Sequence, residues 1–105
     1  MDEKVNEIKK EITLLLIWLT GWEEDKRNAP GEKVFRAWKG YDFDILNELE
    51  KQRMIYQIPG GRSLNLIDNG KNMVEQLKKK YLGESFDESE IQRFKDRNQW
   101  GMARG

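Results

Sequence analysis

The strongest constraint on the fold of this chain is an unbroken run of six apolar residues, 14–19, within a charged N-terminal segment. Apolar residues recur through this segment at spacings of three and four, which predicts one amphipathic helix of about 19 residues. The predicted apolar face of this helix consists of Val5, Ile8, Ile12, Leu15, Leu19 and Trp22.

The second half of this predicted helix is apolar on every side. Such a helix must be covered on more than one side, either by its own domain or by a second copy of the chain. The sequence leaves both arrangements open. The residues predicted to form a homodimer or protein interface are Leu14, Ile17, Trp18 and Trp22.

The central part of the chain predicts a loop followed by two helices. Residues 23–31 are mostly charged and end in the sequence NAPG, which is typical of a loop. Residues 32–38 predict a short helix that ends before Gly40. Asp42 is the expected N-cap of a longer helix over residues 42–53. The expected inward side chains of this longer helix are Phe43, Leu46 and Leu49.

A β-hairpin and a third helix are predicted next. Residues 54–58 and 63–67 are short runs of β-forming side chains that flank the sequence PGGR. Pro presets φ at the second turn position and Gly accepts the positive φ that follows, so the pattern indicates a hairpin. Residues 68–83 then predict a helix that Asp68 caps and Gly83 ends. Its expected inward side chains are Met73, Val74, Leu77 and Tyr81.

The C-terminal segment predicts one more helix and a tail. Asp87 and Glu90 have the spacing of a capping box, and Phe86 and Ile91 occupy the positions of a hydrophobic staple. We therefore divide the chain into a domain over residues 1–83 and a capped helix with a tail over residues 84–105. Trp100, in that tail, is expected to be exposed or to contact another chain.

The predicted order of elements is that of a winged-helix domain. Residues 46–81, LNELEKQRMIYQIPGGRSLNLIDNGKNMVEQLKKKY, resemble the second half of MarR- and PadR-type winged helices. The stretch RAWKGYDFDILNELE is similar to a family of small bacterial winged-helix-like proteins known as a domain of unknown function. These resemblances imply an α+β, mainly α, winged helix-turn-helix-like single domain with a two-stranded β-hairpin wing. They add nothing about activity, because one fold serves many functions.

The residue types that are missing exclude most catalytic chemistry. The chain has no His and no Cys, so the usual zinc and iron sites, thiol or Ser-His nucleophiles and disulfides are excluded. Asp42, Asp44 and Glu48 do not complete a calcium loop, because its twelfth position is Arg53. We expect no enzyme, no cofactor and no metal. A six-residue apolar run cannot span a bilayer, and no signal peptide precedes it, so we expect no membrane contact and a cytoplasmic location.

DNA binding through the predicted second long helix and the wing is one candidate function. The candidate contacts are Asn47, Lys51, Arg53 and Arg62. The charges oppose this function, because 19 basic and 19 acidic residues cancel and residues 42–53 contain four acidic groups against two basic ones. Acidic groups near phosphates weaken the attraction that supplies non-specific affinity. Residues 71–83, with four Lys and one Glu, are either a solvated helix end or a phosphate-contacting patch.

The sequence therefore favours a non-catalytic, regulatory binding module that contacts a protein partner or itself, with DNA binding as the alternative. The aromatic residues leave one further choice open. They either pack in the core or an interface, or they form a pocket for a small apolar effector. The residues of that pocket would be Trp18, Trp22, Trp38 and Tyr41.

Overall fold

The computed structural model describes residues 2–26, 29–83 and 86–93, in which single helices alternate with pairs of strands. The elements are α1 (Asp2–Thr20), β1 (Trp22–Lys26), β2 (Ala29–Trp38), α2 (Phe43–Lys51), β3 (Ile55–Gln57), β4 (Ser63–Leu66) and α3 (Asp68–Leu77), followed by a π-helical turn (Lys78–Leu82). Residues 88–93 are also helical. The architecture is α+β, with more residues in helices than in strands, as predicted.

Two antiparallel hairpins combine into one four-stranded sheet with the order β1-β2-β4-β3. The hairpins join through β2 and β4, where Phe35 pairs with Leu66 and Ala37 with Leu64. Successive side chains of a strand point to opposite faces, so this register brings the apolar side chains of β2 and β4 to one face. That face of the sheet carries the core.

The prediction for residues 23–38 is wrong, because a loop and a short helix were expected where the structure has β1 and β2. Within β2, Phe35 and Ala37 are buried, whereas Trp38 is 53% exposed. This alternation is the pattern of a strand with one buried face, but a short apolar run can equally belong to a helix. In the described residues between α1 and α2 there is no helix, so α2 lacks the preceding helix of a helix-turn-helix pair.

The predictions for α2 and for the hairpin β3–β4 are confirmed. Asp42 precedes α2, and its Oδ1 accepts hydrogen bonds from the backbone N–H groups of Asp44, at 2.8 Å, and of Ile45, at 3.2 Å. The buried side of α2 differs from the prediction at Phe43 and Ile45. Ile45, Leu46 and Leu49 are buried, but Phe43 is 67% exposed. As the first residue of the helix, Phe43 lies beyond the edge of the core.

The ends of α3 and of the C-terminal helix follow the prediction in part. Asp68 is the first residue of α3 and does not cap it, since the N-cap position is Ile67 and no side chain bonds there. Gly83, with φ of 85°, ends the π-helical turn as expected. Asp87 accepts a hydrogen bond from the backbone N–H of Ser89 at 2.9 Å, as its capping role requires. Trp100 lies outside the described residues.

The core is a layer of apolar side chains, all aliphatic except Phe35, between α1, α2 and α3 and the inner face of the sheet. Its residues are Leu14, Leu15, Ile17, Phe35, Ala37, Ile45, Leu46, Leu49, Ile55, Leu64, Leu66, Val74 and Leu77. At Gly70 in α3 the backbone packs so closely that an added Cβ would lie 2.1 Å from the carbonyl oxygen of Met54. Glycine is therefore required there for α3 to pack against the segment that leads into β3.

We predict that Gly70→Ala will lower the free energy of unfolding by about 1–3 kcal/mol, because backbone must move to admit the methyl group. Urea unfolding followed by circular dichroism measures this change. The matched control is Gly40→Ala, because an added Cβ at Gly40 meets nothing within 4 Å. The control should stay within about 0.5 kcal/mol of the parent protein. Equal effects of the two substitutions would contradict this account of the packing.

Candidate functional site

The two buried members of the predicted interface belong to the protein's own core. Leu14 and Ile17 are both 0% exposed. In this conformation they cannot contact a partner, so their prediction as interface residues is wrong. Trp18 is partly buried against the core, and Trp22 lies on β1. The interpretation in which the chain covers its own apolar run is therefore correct for the Leu14 side of α1.

A different side of α1 exposes aliphatic residues to solvent. These are Val5 at 43%, Ile8 at 40%, Ile12 at 48% and Leu16 at 41% exposure. Their spacings of three, four and four residues place them within an arc of about 80° on a helix of 3.6 residues per turn. We call these four residues the α1 stripe. The first three belong to the face that the sequence predicted. That face is divided, because its N-terminal part points outward whereas Leu15 is buried and Leu19 packs against the core.

The sequence could not show which apolar side of α1 faces inward. Leu14 and Ile17 break the spacing of the predicted face and lie on the opposite side of the helix. Because residues 14–19 are all apolar, local periodicity supports either orientation. The choice is made by the tertiary packing of α1 against α2, α3 and β2.

One border of the α1 stripe is fixed by polar contacts to the π-helical turn. The Glu11 carboxylate accepts hydrogen bonds from Lys80 Nζ at 2.8 Å and from the Tyr81 hydroxyl at 2.6 Å. These bonds, that of Lys80 first, lower the pKa of Glu11. The hydrogen bond to Glu11 also raises the pKa of Tyr81. The contacts hold the end of the α3 region against α1 and leave the α1 stripe beside it uncovered.

The four predicted DNA contacts do not form one basic surface. Asn47 and Lys51 lie on the exposed side of α2 together with Asp44 and Glu48. The Asn47 side chain accepts a hydrogen bond from Gln57 Nε2 at 3.0 Å, and Lys51 Nζ lies 3.9 Å from the Glu48 carboxylate. The polar character of this side was predicted correctly, and its single basic residue among these four, Lys51, is outnumbered by Asp44 and Glu48.

Arg53 and Arg62 lie at opposite ends of α2. Arg53 follows the helix and has a φ of 60°, which is uncommon for a residue other than glycine. Arg62 lies in the turn between β3 and β4 and lines a pocket with Phe43, the first residue of α2. The nine residues of α2 separate the two ends by about 12 Å, at 1.5 Å per residue.

The four residues of the predicted aromatic pocket are also divided. Trp18 and Trp22 line a cleft of about 530 Å³ above Phe35, Leu66 and Val74. Trp38 lines a different pocket. The hydroxyl of Tyr41 lies 2.7 Å from Thr20 Oγ1, in a hydrogen bond that joins the loop before α2 to the end of α1, and burial raises the pKa of Tyr41. A single pocket of these four residues is therefore not formed.

The second pocket combines exposed aromatic rings with basic groups. Trp38, 53% exposed, and Phe43, 67% exposed, line a volume of about 650 Å³ together with Lys39, Gly61 and Arg62. We call this set the aromatic corner. The sequence analysis expected Phe43 to face inward and grouped Trp38 with other aromatic residues, so it missed this site. The exposure arises because Trp38 ends β2 on the outer face of the sheet and Phe43 begins α2.

Backbone and side-chain bonds hold the aromatic corner in place. The N–H of Lys39 donates to the carbonyl oxygen of Arg62 at 2.7 Å, and Lys39 Nζ donates to the carbonyl oxygen of Ile58 at 3.0 Å. The ring of Trp38 packs against Trp22, with their centroids 5.3 Å apart and a tilt of 51°. The end of β2 and the β3–β4 turn are thereby tied together.

Within residues 2–26, 29–83 and 86–93, no group of three or more acidic side chains is placed to hold a metal ion. In the same part of the chain, no helix is both long enough and apolar enough to cross a membrane.

Comparison with known proteins gives one match. Residues 4–84 match a protein family described as a domain of unknown function, DUF6429. No curated protein and no solved structure matches the chain. The predicted resemblance to a domain of unknown function is confirmed at that level. The winged-helix assignment stays a prediction, as does the division of the chain at residue 83.

Proposed function

Since the chain belongs to the DUF6429 family, whose description states no function, we propose a function from its own geometry. We propose that it is a non-catalytic binding module that pairs with a second copy of itself through the α1 stripe. The observation that carries this proposal is the exposure of four aliphatic side chains on one side of a 19-residue helix whose other side is buried.

The α1 stripe has the dimensions of a helix-pairing surface. From Val5 to Leu16 it extends over about 16 Å, or three turns of helix. Contiguous apolar residues that remain exposed in a folded chain are typical of surfaces that bind another protein. Burial of such side chains contributes about 25 cal/mol per Å² of apolar area removed from water, which favours association.

The spacing within the α1 stripe favours a second copy as the partner. Val5 and Leu16 lie at almost equal distances from the middle of the stripe, and so do Ile8 and Ile12. Two antiparallel α1 helices related by a twofold axis would therefore place Ile8 opposite Ile12 and Val5 opposite Leu16. Self-complementarity of this kind is what a twofold symmetric interface requires.

The non-catalytic part of the proposal is supported by the absence of His and Cys from the sequence, which removes the commonest acid-base and nucleophilic side chains. The hydrogen bond to Asp25 raises the pKa of Lys33, and burial raises that of Tyr41. Lys33 belongs to a surface ion pair, and the half-buried Tyr41 hydrogen-bonds to Thr20. Neither supplies a pair of groups poised for proton transfer to a substrate.

We predict that sedimentation velocity at about 100 µM protein gives a mass of twice the 12.5 kDa of one chain. The variant Ile12→Lys should sediment with the mass of one chain. Ile12 is 48% exposed, so the substitution should leave the fold unchanged, which circular dichroism checks. Asn6→Lys adds the same charge on the exposed surface of α1 outside the stripe and should leave the dimer intact. A single chain mass for the parent protein would overturn the proposal.

DNA binding is the alternative function, supported by the order of α2 followed by the hairpin β3–β4, which resembles a recognition helix and wing. The acidic residues on the exposed side of α2 oppose it. We therefore expect no binding of a labelled duplex in fluorescence anisotropy at about 50 mM salt, where electrostatic attraction is strong. Binding that weakens steeply with salt would favour DNA binding if it also depends on the predicted contacts. The double variant Lys51→Glu with Arg62→Glu should then abolish binding. The control double variant Lys4→Glu with Lys9→Glu, on α1, should not.

A further inference from the structure

The aromatic corner has the composition of a ligand site. Its two rings, those of Trp38 and Phe43, are more than half exposed, although aromatic side chains are normally among the most buried in a domain. Its volume of about 650 Å³ lies within the range of about 300–1,000 Å³ that is typical of small-molecule pockets. Exposed rings beside such a volume offer flat apolar surfaces for stacking.

The charge of the aromatic corner selects an anion. Arg62 has no ion-pair partner among the described residues, so its guanidinium is available for a bidentate contact with a carboxylate. Lys39 adds a second positive charge, and its hydrogen bond to the carbonyl oxygen of Ile58 keeps its ammonium group close to the β3–β4 turn. A ligand that carries one anionic group beside a ring would satisfy both features.

Two acidic residues near the aromatic corner do not cancel its charge. The Asp42 carboxylate accepts two backbone hydrogen bonds at the start of α2, so the positive end of the helix offsets its charge. Asp44 follows Phe43 on the helix, and a step of one residue turns its side chain by about 100° away from that of Phe43. Asp44 therefore faces the same side as Glu48 and not the pocket.

We propose that the aromatic corner binds a small aromatic carboxylate, with the ring against Trp38 and Phe43 and the carboxylate on Arg62. A nucleic-acid strand fits the site less well. Each further phosphate of a strand needs a further basic group, and the aromatic corner offers only Lys39 and Arg62. The proposal is independent of pairing through α1, because none of its residues lies on that helix.

The test uses the full chain labelled with ¹⁵N and three probes: indole-3-acetate, its neutral amide indole-3-acetamide, and a short oligothymidylate. Titrations are followed by amide chemical shifts in two-dimensional NMR. We expect indole-3-acetate to shift the amides of Lys39, Phe43 and Gly61 and to bind about tenfold more tightly than the amide, because only the acid forms a charge-assisted pair with Arg62.

Two variants separate the contributions of ring and charge. Arg62→Gln should reduce the preference for the acid over the amide, with Lys39 as the remaining positive charge, and leave the binding of the amide unchanged. Phe43→Ala should weaken both probes about fivefold through the loss of ring contact. Phe43 is 67% exposed, so its removal should not unfold the protein. Lys51→Gln, which removes a positive charge elsewhere on α2, is the matched control and should change nothing.

Several results would overturn the proposal. The first is equal affinity for the acid and the amide, and the second is unchanged discrimination in Arg62→Gln. The third is the absence of shifts at Lys39, Phe43 and Gly61 with 10 mM indole-3-acetate. Tighter binding of the oligothymidylate than of indole-3-acetate would assign the site to a nucleic acid instead.

Discussion

The pairing of β2 with β4 is the interaction on which the rest of the structure depends. Each hairpin alone would be a two-stranded ribbon, which is at best marginally stable in water. Their union creates a four-stranded sheet with one continuous apolar face. The register that sets Phe35 against Leu66 and Ala37 against Leu64 decides which side chains that face presents to the helices. A shift of one residue would turn these side chains to the solvent.

The elements that could be predicted from the sequence are those with local signals. Asp42 caps α2 through its own carboxylate, PGGR makes the β3–β4 turn, and Gly83 ends the π-helical turn, and each of these depends on residues close in the chain. The hairpin β1–β2 could not be predicted in this way. Its charged residues 23–26 look like a loop, and its apolar residues suit a helix or a strand equally well. The pairing with β4, 29 residues away at Arg36 and Asn65, resolves this ambiguity.

The α1 stripe could be predicted in part and the aromatic corner not at all, because local sequence patterns do not show how distant segments pack. Periodicity identified α1 as a helix with too much apolar surface for one contact, and that is confirmed by its two apolar sides. It could not tell that Leu14 and Ile17 would be buried and that Ile8 and Ile12 would be exposed. The aromatic corner brings together the end of β2, the start of α2 and the β3–β4 turn, so no local pattern could have indicated it. The α1 stripe and the aromatic corner are both exposed because the apolar core does not extend to them.

The two edges of the sheet have a consequence for how copies of this protein can associate. β1 at one edge consists of a tryptophan followed by four charged residues, and β3 at the other edge has three residues. Charged and very short edge strands resist the addition of a further strand from another molecule. Growth of an open, continuous β-structure is therefore disfavoured, whereas the proposed twofold pairing through α1 would involve two copies only. At high concentration the sheet geometry accordingly favours finite assemblies over fibres.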